Sequence, residues 1–400
     1  MKSTPIPPSK RQPVLLERRR MKMAESAHAY VRGNTVKFYE WLESSKAAKA
    51  LPAGPPVWIS GDCHTGNLGP VASADGLIEI QIRDLDQTVI GNPVHDIVRL
   101  SLSLAMAARS SDLPGITTAL MIEEVIRGYR RGLSRRHPEA HENEIEPVRR
   151  VMRQALRRKW RHLAEERIED VTPHIPLGRR FWPLSAAERK AIERLFLQPE
   201  TQKLITGLKS RDAKDKVSVL DAAYWMKGCS SLGRLRYAVL AAVGKKAHGE
   251  MCLIDIKEAA QAAAPRAKHG SMPSGNAERV VTGARALSPF LGERMLAARL
   301  MDKSVVLREL MPQDLKFEME RLSQAEAVGA ASLFAQIVGR AHGRQMDNKT
   351  RQGWSAELRR DRSKTLDAPS WLWKSVVDLA ANHEAAYLDH CRAYALKSPA

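Results

Sequence analysis

Hydrophobic and polar positions follow two different periods along this chain, and each period predicts a different kind of element. Near the start, Ile78, Ile80 and Ile82 alternate with polar residues, and the pair Asp75-Gly76 precedes them. Strict alternation is typical of a half-buried strand, and Asp-Gly favours a tight turn. Residues 68–84 are therefore predicted to form a β-hairpin, with the short apolar run "VWIS" as a buried strand before it.

Helical periodicity dominates elsewhere, apart from one later stretch. Helices are predicted over residues 15–47 with a break near 31–35, over about 96–166, from 278, over 314–346 and near the end of the sequence. Strand-like runs around glycine-rich turns begin near Val217, and "KSVVLREL" is a further buried strand. This order predicts a two-lobed α+β protein, with a helix-rich large lobe and a small antiparallel-sheet lobe.

The same pattern sets the predicted domain boundaries. We expect a flexible basic tail at residues 1–20, a large lobe at 21–215, a small lobe at 216–312, and helices at 313–400 that return to the large lobe. The tail is predicted because "MKSTPIPPSKRQPVLLERRR" is rich in proline and positive charge. It has no long apolar segment, so it does not have the pattern of a secretory signal.

Composition adds a preference for anions. The chain has 400 residues, and its 64 Lys and Arg against 45 Asp and Glu give a formal charge of +19. Such a field attracts nucleotides, phosphorylated substrates or nucleic acid, although arginine-rich solvated helix faces would give the same total. Four widely spaced cysteines favour a reducing cytoplasm, and no apolar run approaches the roughly 20 residues of a membrane span.

The densest polar motif is "ISGDCHTGNLG", between the predicted strand and the hairpin. Asp62 and Asn67 stand at the spacing with which phosphoryl-transfer enzymes place a base and a metal-holding asparagine. Asp84 ends the returning strand of the hairpin, so its carboxylate would complete a Mg²⁺ site with Asn67. His64 would either take part in catalysis or brace the loop. The alternative is that these polar residues only cap backbone N–H groups.

A glycine-rich turn is predicted further along the chain. "GCSSLGRLRYAVL" places Gly228 and Gly233 between strand-like runs, with Ser230 and Ser231 inside the turn. Small residues at such a turn let backbone N–H groups approach a phosphate. An ordinary hairpin has the same composition, so the turn predicts a nucleotide contact only in combination with its neighbours.

A lysine on a strand after the glycine-rich turn is the second candidate for a nucleotide contact. Lys257 holds an alternating position in "CLIDIKEA", as the kinase lysine that pairs nucleotide phosphates does, although a solvated edge lysine would look the same. Glu278, at the start of the next helix, is the nearest candidate for its glutamate partner. The nucleotide-gripping part thus follows the catalytic loop instead of preceding it. This order predicts a circularly permuted kinase-like arrangement with ATP and Mg²⁺ as cofactors.

The catalytic-loop stretch resembles a known motif. "SGDCHTGN" is similar to the His-Gly-Asp-x-His-x-x-Asn loop of aminoglycoside and choline phosphotransferases, with Ser60 in place of the first histidine. The resemblance continues through "IRDLDQTVIGNPVHDIVRL", which matches an Ile-Asp-x-Glu segment, a Gly-x-Pro and an Asp-Leu pair in register. It implies a kinase-like fold.

That resemblance also implies residue roles. Asp62 would be the base, and Asn67 and Asp84 would be the metal ligands. Asp96 would be a buried carboxylate that steadies the catalytic loop from the next helix. Asp86 would be an auxiliary metal ligand.

The whole pattern resembles the bacterial domain-of-unknown-function 2252 family. That family carries an Arg-Gly element, a Gly-Asp-x-His-x-x-Asn loop, a Lys-Glu-Ala strand and an Ala-His element, which correspond here to Arg32-Gly33, the motif above, Lys257-Glu258-Ala259 and Ala341-His342. The resemblance covers most of the chain and implies a kinase-like fold without a substrate. Arg32 would meet a phosphate or bridge helices.

Two other functions compete with phosphoryl transfer. A metallophosphoesterase would use "GDCHTG" together with "ANHE", and therefore His64 and His383. A catalytically silent pseudokinase or a nucleic-acid-binding module would use the basic helix predicted around Arg149–Arg161, although a solvated helix face is the simpler interpretation. The expected partners are a nucleotide and an unidentified small-molecule or protein acceptor, with nucleic acid not favoured and no membrane span.

Overall fold

A computed structural model describes residues 6–111, 113–134, 145–168, 174–229, 231–244, 250–268, 270–317, 322–361 and 367–395. Within these ranges the protein is α+β, as predicted. The helices are α1 (Pro8–Ala24), α2 (Ala27–Gly33), α3 (Thr35–Ser44), α4 (Val94–Ser110), α5 (Gly115–Leu133), α6 (Glu146–Arg157), α7 (Trp160–Ile168), α8 (Ala186–Phe196), α9 (Pro199–Thr206), α10 (Asn276–Leu287), α11 (Pro289–Gly292), α12 (Gln324–Gly343), α13 (Asn348–Glu357) and α14 (Ser370–His390).

The strands of the described residues form three antiparallel sheets. They are β1 (Val57–Ile59), β2 (Leu68–Ala72), β3 (Ile78–Ile82), β4 (Val89–Gly91), β5 (Phe181–Trp182), β6 (Val217–Trp225), β7 (Arg236–Val243), β8 (Glu250–Glu258), β9 (Met295–Leu300) and β10 (Lys303–Leu310). The largest sheet has six strands in the order β5-β6-β7-β8-β10-β9, and the others are the pairs β1-β4 and β2-β3.

The predicted hairpin is confirmed. Leu68 pairs with Ile82 and Ala72 with Ile78 across β2 and β3. Gly76 lies in the turn with φ of 85°, a left-handed conformation that glycine adopts without strain. The hairpin starts directly after the polar motif and returns to Asp84, so it brings the two ends of the candidate site together.

The six-stranded sheet packs against helices on both faces. One face carries Ile254 and Ile256 and is covered by α1, α8 and α9. The opposite face carries Leu253 and Leu310 and is covered by α7. Side chains alternate along a strand, so Lys257 shares a face with Leu253.

The predicted flexible tail is wrong for residues 8–20. Helix α1 begins at Pro8, a position at which a fixed φ and a missing N–H favour a helix start. Leu15 is 2% exposed and packs on the sheet, and Arg11 forms an ion pair of 2.6 Å with the buried Glu188. Residues 1–5 lie outside the described ranges. The basic segment is therefore part of the sheet layer.

Two further predictions differ from the structure. Residues 181–206, expected in the large lobe, supply β5, α8 and α9 to the sheet layer. The predicted long basic helix is divided into α6 and α7, because the chain is extended at Arg158. Val148 of α6 packs in the helical core, whereas Leu163 of α7 packs on the sheet. The break therefore lets one basic segment serve two layers.

The helical core is built around α4, α5, α12 and α14. Backbones of α5 and α12 approach closely at glycines: a Cβ on Gly128 would lie 2.0 Å from the Ser332 carbonyl oxygen, and one on Gly339 would lie 2.1 Å from that of Tyr129. Helix α10 packs on this core while its neighbours β9 and β10 belong to the sheet. Among the described residues no helix combines the length and apolarity needed to span a membrane.

Candidate functional site

The polar motif forms a tight loop that is fixed from behind. Gly61 has φ of 72°, and a Cβ there would lie 2.2 Å from the Gln87 carbonyl oxygen, so the position requires glycine. The fully buried Asp96 of α4 accepts hydrogen bonds from the backbone N–H groups of Ser60 at 2.7 Å and Gly61 at 3.0 Å. His342 of α12 lies 3.2 Å from the same carboxylate. Asp96 therefore holds the loop as its resemblance implied.

Asp62 is bound by an arginine that the sequence did not point to. Arg99 Nε donates to Asp62 Oδ1 at 3.0 Å, and the Arg99 side chain is 1% exposed. Burial raises the pKa of the Asp62 carboxyl, and the Arg99 guanidinium acts in the opposite direction. Arg99 follows Asp96 by one helical turn, so the two face the loop together, and this spacing was the available signal.

His64 is buried beside Asp62 on the loop. Its Nε2 is 3.9 Å from Asp62 Oδ2, while its Nδ1 is buried without a hydrogen-bond partner among the described residues. Burial, followed by the Arg32 and Arg99 charges, lowers the pKa of His64 well below its ordinary value, so the imidazole is neutral at pH 7. His64 lines the large cavity described below, whereas Asp62 does not.

Asn67 is oriented by the loop itself. The side-chain nitrogen of Asn67 donates to the Asp62 backbone carbonyl oxygen at 3.0 Å. The backbone carbonyl oxygen of Asn67 accepts from the Arg83 backbone N–H at 2.7 Å. The amide nitrogen is thus engaged within the loop, and Asn67 lines the large cavity. The hairpin places Asp84 on the same cavity wall.

Lys257 forms ion pairs with two carboxylates from the N-terminal part of the sequence, Asp84 and Asp86. Lys257 Nζ lies 3.4 Å from Asp84 Oδ1 and also forms an ion pair with Asp86. Burial opposes ionisation of Asp84, but the cations Lys257 and Arg308 outweigh it and hold the pKa of Asp84 below its ordinary value. Burial and the Asp84 charge raise the pKa of Asp86. Residues 173 positions apart therefore form one charged cluster.

Glu278 is not part of this cluster. Its side chain is exposed at the start of α10, and Lys257 is paired with the hairpin carboxylates instead, so the predicted lysine–glutamate pair is wrong. The next residue, Arg279, is fully buried and donates to the carbonyl oxygens of Asp86 at 3.0 Å and Ala260 at 2.8 Å, and to that of Thr88. Helix α10 thus presents a cation to the hairpin segment.

The glycine turn joins β6 to β7 as predicted. Gly228 and Gly233 have φ of 94° and 96°, in the region that favours glycine. Gly228 and Ser231 line the large cavity, Gly233 instead lies near Leu16 of α1, and Ser230 lies outside the described residues. The turn is therefore open to a ligand at its first half.

These parts surround one cavity of about 620 Å³. His64, Asn67, Asp84, Gly228 and Ser231 are all on its wall. A smaller cavity of about 60 Å³ adjoins it and is lined by Lys257, Asp86 and the shared Asp84. Of the predicted site residues in the described ranges, only Asp62, Gly233 and Glu278 contribute to neither cavity.

The oxygen donors on this wall fit Mg²⁺. Asn67 offers an amide oxygen and Asp84 a carboxylate, and Mg²⁺ is commonly held by one or two such protein groups plus substrate phosphates. Asp86 is turned to Lys257 on the side of the smaller cavity. Within the described ranges no group of three or more His, Cys, Asp and Glu residues is arranged to hold a metal. Asn67 and Asp84 are therefore oxygen donors of the type that Mg²⁺ prefers.

The features of the competing functions lie elsewhere. His383 is fully buried in α14, its Nδ1 lies 3.0 Å from the Leu379 carbonyl oxygen, and it does not line the cavity with His64. The basic helix contributes Arg150, Arg153 and Arg157 to a separate open groove of about 660 Å³. Neither feature is joined to the loop that carries Asp62 and Asn67.

Comparison with known proteins gives one match. A family model described as "Uncharacterized protein conserved in bacteria (DUF2252)" matches residues 11–393. No curated protein and no solved structure matches the chain.

Proposed function

Because the chain belongs to the DUF2252 family of uncharacterised bacterial proteins, the site itself has to indicate the function. We propose that the protein is a kinase-like phosphotransferase, which moves the γ-phosphoryl group of ATP to a hydroxyl acceptor with Mg²⁺. The observation that carries this proposal is the contact of Lys257 with Asp84 and Asp86, beside the cavity that holds Asn67 and the glycine turn.

A permuted kinase-like fold is part of the proposal. From β6 onward the chain runs through a strand, a glycine turn, a strand, the lysine strand, helix α10 and the strands β9 and β10. Protein kinases place the phosphate-covering loop, the lysine strand and the αC helix in this order. The catalytic loop and hairpin stand before these parts in the sequence, which is why a permutation is required. The exposed Glu278 is a departure from the kinase pattern.

The position of each residue at the cavity indicates whether it would contact the nucleotide, the metal or the acceptor. Lys257 would pair with nucleotide phosphates, and the backbone near Gly228 would cover them. Asn67 and Asp84 would hold Mg²⁺, which neutralises charge on the transferring phosphoryl group. His64 would contact the acceptor hydroxyl, because His64 is on the cavity wall. Asp62 would orient the His64 ring, and Arg99 would hold Asp62 in place. Catalysis would consist mostly of positioning and charge neutralisation.

A cytoplasmic location is also part of the proposal. All four cysteines are free, and Cys63 and Cys252 are buried. This supports the proposal of a reducing cytoplasm.

The test is a thermal-unfolding titration with ATP, with and without Mg²⁺. Wild type should be stabilised by Mg-ATP, by about 2.7 kcal/mol when the nucleotide is at 100 times its Kd. Lys257→Met should lose this stabilisation, and Asn67→Leu should lose only its dependence on Mg²⁺. Lys374→Met, which removes an exposed lysine from α14, is the matched control and should behave as wild type.

Three outcomes would count against the proposal or one of its assignments. An absence of stabilisation in wild type would remove ATP-dependent transfer and favour a silent pseudokinase. Equal stabilisation of wild type and Lys257→Met would separate the lysine from nucleotide binding. Undiminished turnover in Asp84→Ala would remove its assignment as a metal ligand.

A further inference from the structure

The large cavity is strongly cationic. Nine lysine and arginine side chains line it, against three carboxylates. Two of those carboxylates are already neutralised, because Asp84 meets Lys257 at 3.4 Å and Asp314 meets Arg294 at 3.0 Å. Glu25 is left as the third. The wall therefore has a large excess of positive charge toward whatever occupies it.

The cations on the wall differ in whether a carboxylate of the protein pairs with them. Arg236 is held by Asp255 at 2.8 Å, and Arg167 by Glu166 at 3.0 Å, so these charges are largely balanced within the protein. Lys22, Arg32 and Lys316 have no carboxylate partner in the part of the chain that the structure describes. Lys22 donates only to the Gly228 carbonyl oxygen, at 3.1 Å. These three side chains form what we call the cation cluster.

Arg32 places this cluster against the catalytic loop. A Cβ on Gly66 would lie 2.8 Å from Arg32 Nη2 and 2.9 Å from its Cζ, so the guanidinium rests on the loop backbone between His64 and Asn67. Arg32 Nε is buried and makes no hydrogen bond. The loop thus needs glycine at position 66 to admit the arginine. An arginine in such close contact with the loop is positioned for a ligand of that loop.

Lys316 lies among other positive charges in a partly desolvated position. Burial, followed by the charges of Arg32, Arg83 and Arg167, lowers the pKa of Lys316 to about 8. Like charges that are held together without a counter-charge cost stability, and a bound anion removes that cost. The arrangement is therefore typical of a site that binds an anion.

We propose that the cation cluster binds a phosphate monoester group on the acceptor, so that the substrate phosphorylated here already carries a phosphate. The inference rests on the proposed function and names its substrate class. Arginine recognises phosphate through two parallel N–H donors, and the two lysines add point charges. Lys257 and Asp84, on the adjoining wall, would serve the nucleotide.

The reaction balances without a further reactant. The acceptor hydroxyl oxygen forms a bond to the γ-phosphorus of ATP, and the bond from that phosphorus to the β,γ-bridging oxygen breaks, which releases ADP. The hydroxyl proton passes to the catalytic loop at His64 and then to solvent. The phosphate already on the acceptor is unchanged and only holds it in place.

The test is calorimetric titration of inorganic phosphate into protein saturated with Mg²⁺ and a non-hydrolysable ATP analogue. Wild type should bind one phosphate per chain. The double variant Arg32→Gln/Lys316→Gln should bind it at least about tenfold more weakly, because charge-assisted hydrogen bonds are lost. Its affinity for the ATP analogue should remain within about threefold of wild type. The control Arg189→Gln/Lys374→Gln removes the same charges from exposed helix faces and should bind phosphate as wild type does.

The outcomes separate this inference from the proposed function. Competition between phosphate and the analogue, or loss of analogue affinity in the double variant to the extent seen in Lys257→Met, would overturn it, since the cluster would then serve the nucleotide. Phosphate binding that is absent in wild type or intact in the double variant would also overturn it. Phosphate binding lost in the double variant, in a protein that binds no nucleotide, would keep the anion site and remove only the transfer reaction. If the double variant does not fold, Lys316→Gln alone, in the loop after β10, should still weaken phosphate binding severalfold, and unchanged binding would count against the site.

Discussion

Three hydrogen-bonding groups converge on the Asp96 carboxylate: the backbone N–H groups of Ser60 and Gly61, and the ring of His342. All lie in surroundings from which water is excluded, so the two backbone N–H groups depend on that carboxylate for their partner. Buried donors that lose their acceptor keep the full cost of desolvation. The geometry of the loop that carries Asp62 and Asn67 therefore depends on one side chain of α4.

Asp96→Asn should lower the free energy of unfolding by about 1–3 kcal/mol, because the amide cannot accept from both backbone N–H groups. Urea denaturation measures this loss. Asp75→Asn, in the exposed hairpin turn, is the matched control and should stay within about 0.5 kcal/mol of wild type. Equal stability of the two variants would show that Asp96 does not hold the loop.

Lys316 gives the anion site a pH dependence. Its pKa is lowered to about 8, so it is cationic below pH 8 and neutral above. Sulfate keeps its charge throughout this range, so sulfate affinity should fall as the pH rises through about 8. Lys316→Arg should show no such fall, because a guanidinium stays protonated. Parallel titrations of the two proteins with sulfate at pH 6.5 and 9.5 would reveal the difference, and identical profiles would contradict the assignment.

At the level of elements, α5 and α12 are held at backbone contact by glycine. Gly128→Ala should lower the free energy of unfolding by about 1–3 kcal/mol or more, because a methyl group would lie 2.0 Å from the Ser332 carbonyl oxygen. Gly353→Ala is the matched control: nothing lies within 4 Å of its added Cβ in α13, so alanine should raise helix stability by about 0.5–1 kcal/mol. Opposite signs in denaturant unfolding are the expected result.

Helix α1 is the element whose role the sequence concealed. Leu15→Ala should cost about 2–4 kcal/mol, because Leu15 is 2% exposed in the sheet core. Leu77→Ala, at a position 64% exposed, should be close to neutral. If chemical denaturation found both variants neutral, the N-terminal segment would be the loose tail that its composition suggests.

Sequence patterns predicted elements where the signal was local. The hairpin was found because Asp75-Gly76 and the alternation around Ile80 lie within one short segment. Helix α1 was missed because its burial depends on Glu188 and the sheet, which are far along the chain. The division between α6 and α7 was missed because periodicity does not report that a helix changes packing partner at Arg158.

On the scale of the whole molecule, Arg279 connects segments from both parts of the chain. It donates to carbonyl oxygens at Asp86, Thr88 and Ala260, which leaves all three dependent on one guanidinium. Arg279→Ala should cost about 3 kcal/mol or more in unfolding free energy. Arg189→Ala, on an exposed face of α8, should have little effect. Equilibrium unfolding that shows the same stability for both would mean that Arg279 is not a structural connection.

The residues of the candidate site that belong to a sequence motif could be predicted, and those that depend on tertiary contacts could not. Asp62, Asn67 and Asp84 came from spacing and resemblance, and Lys257 from its strand position. Arg99 and the partners of Lys257 depend on tertiary contacts, so neither was predicted. Glu278 was an incorrect choice, because its side chain is exposed and Lys257 pairs with Asp84 and Asp86 instead.

The pairing of Lys257 with two carboxylates has a consequence for timing. Without nucleotide, the Lys257 ammonium group is already paired with Asp84 and Asp86. The first encounter with a nucleotide and the contact of Lys257 with its phosphates are therefore separate steps. The observed association rate would climb with nucleotide concentration and then level off at the speed with which the lysine is released. Association that must wait for such a rearrangement is slower than a diffusional encounter permits.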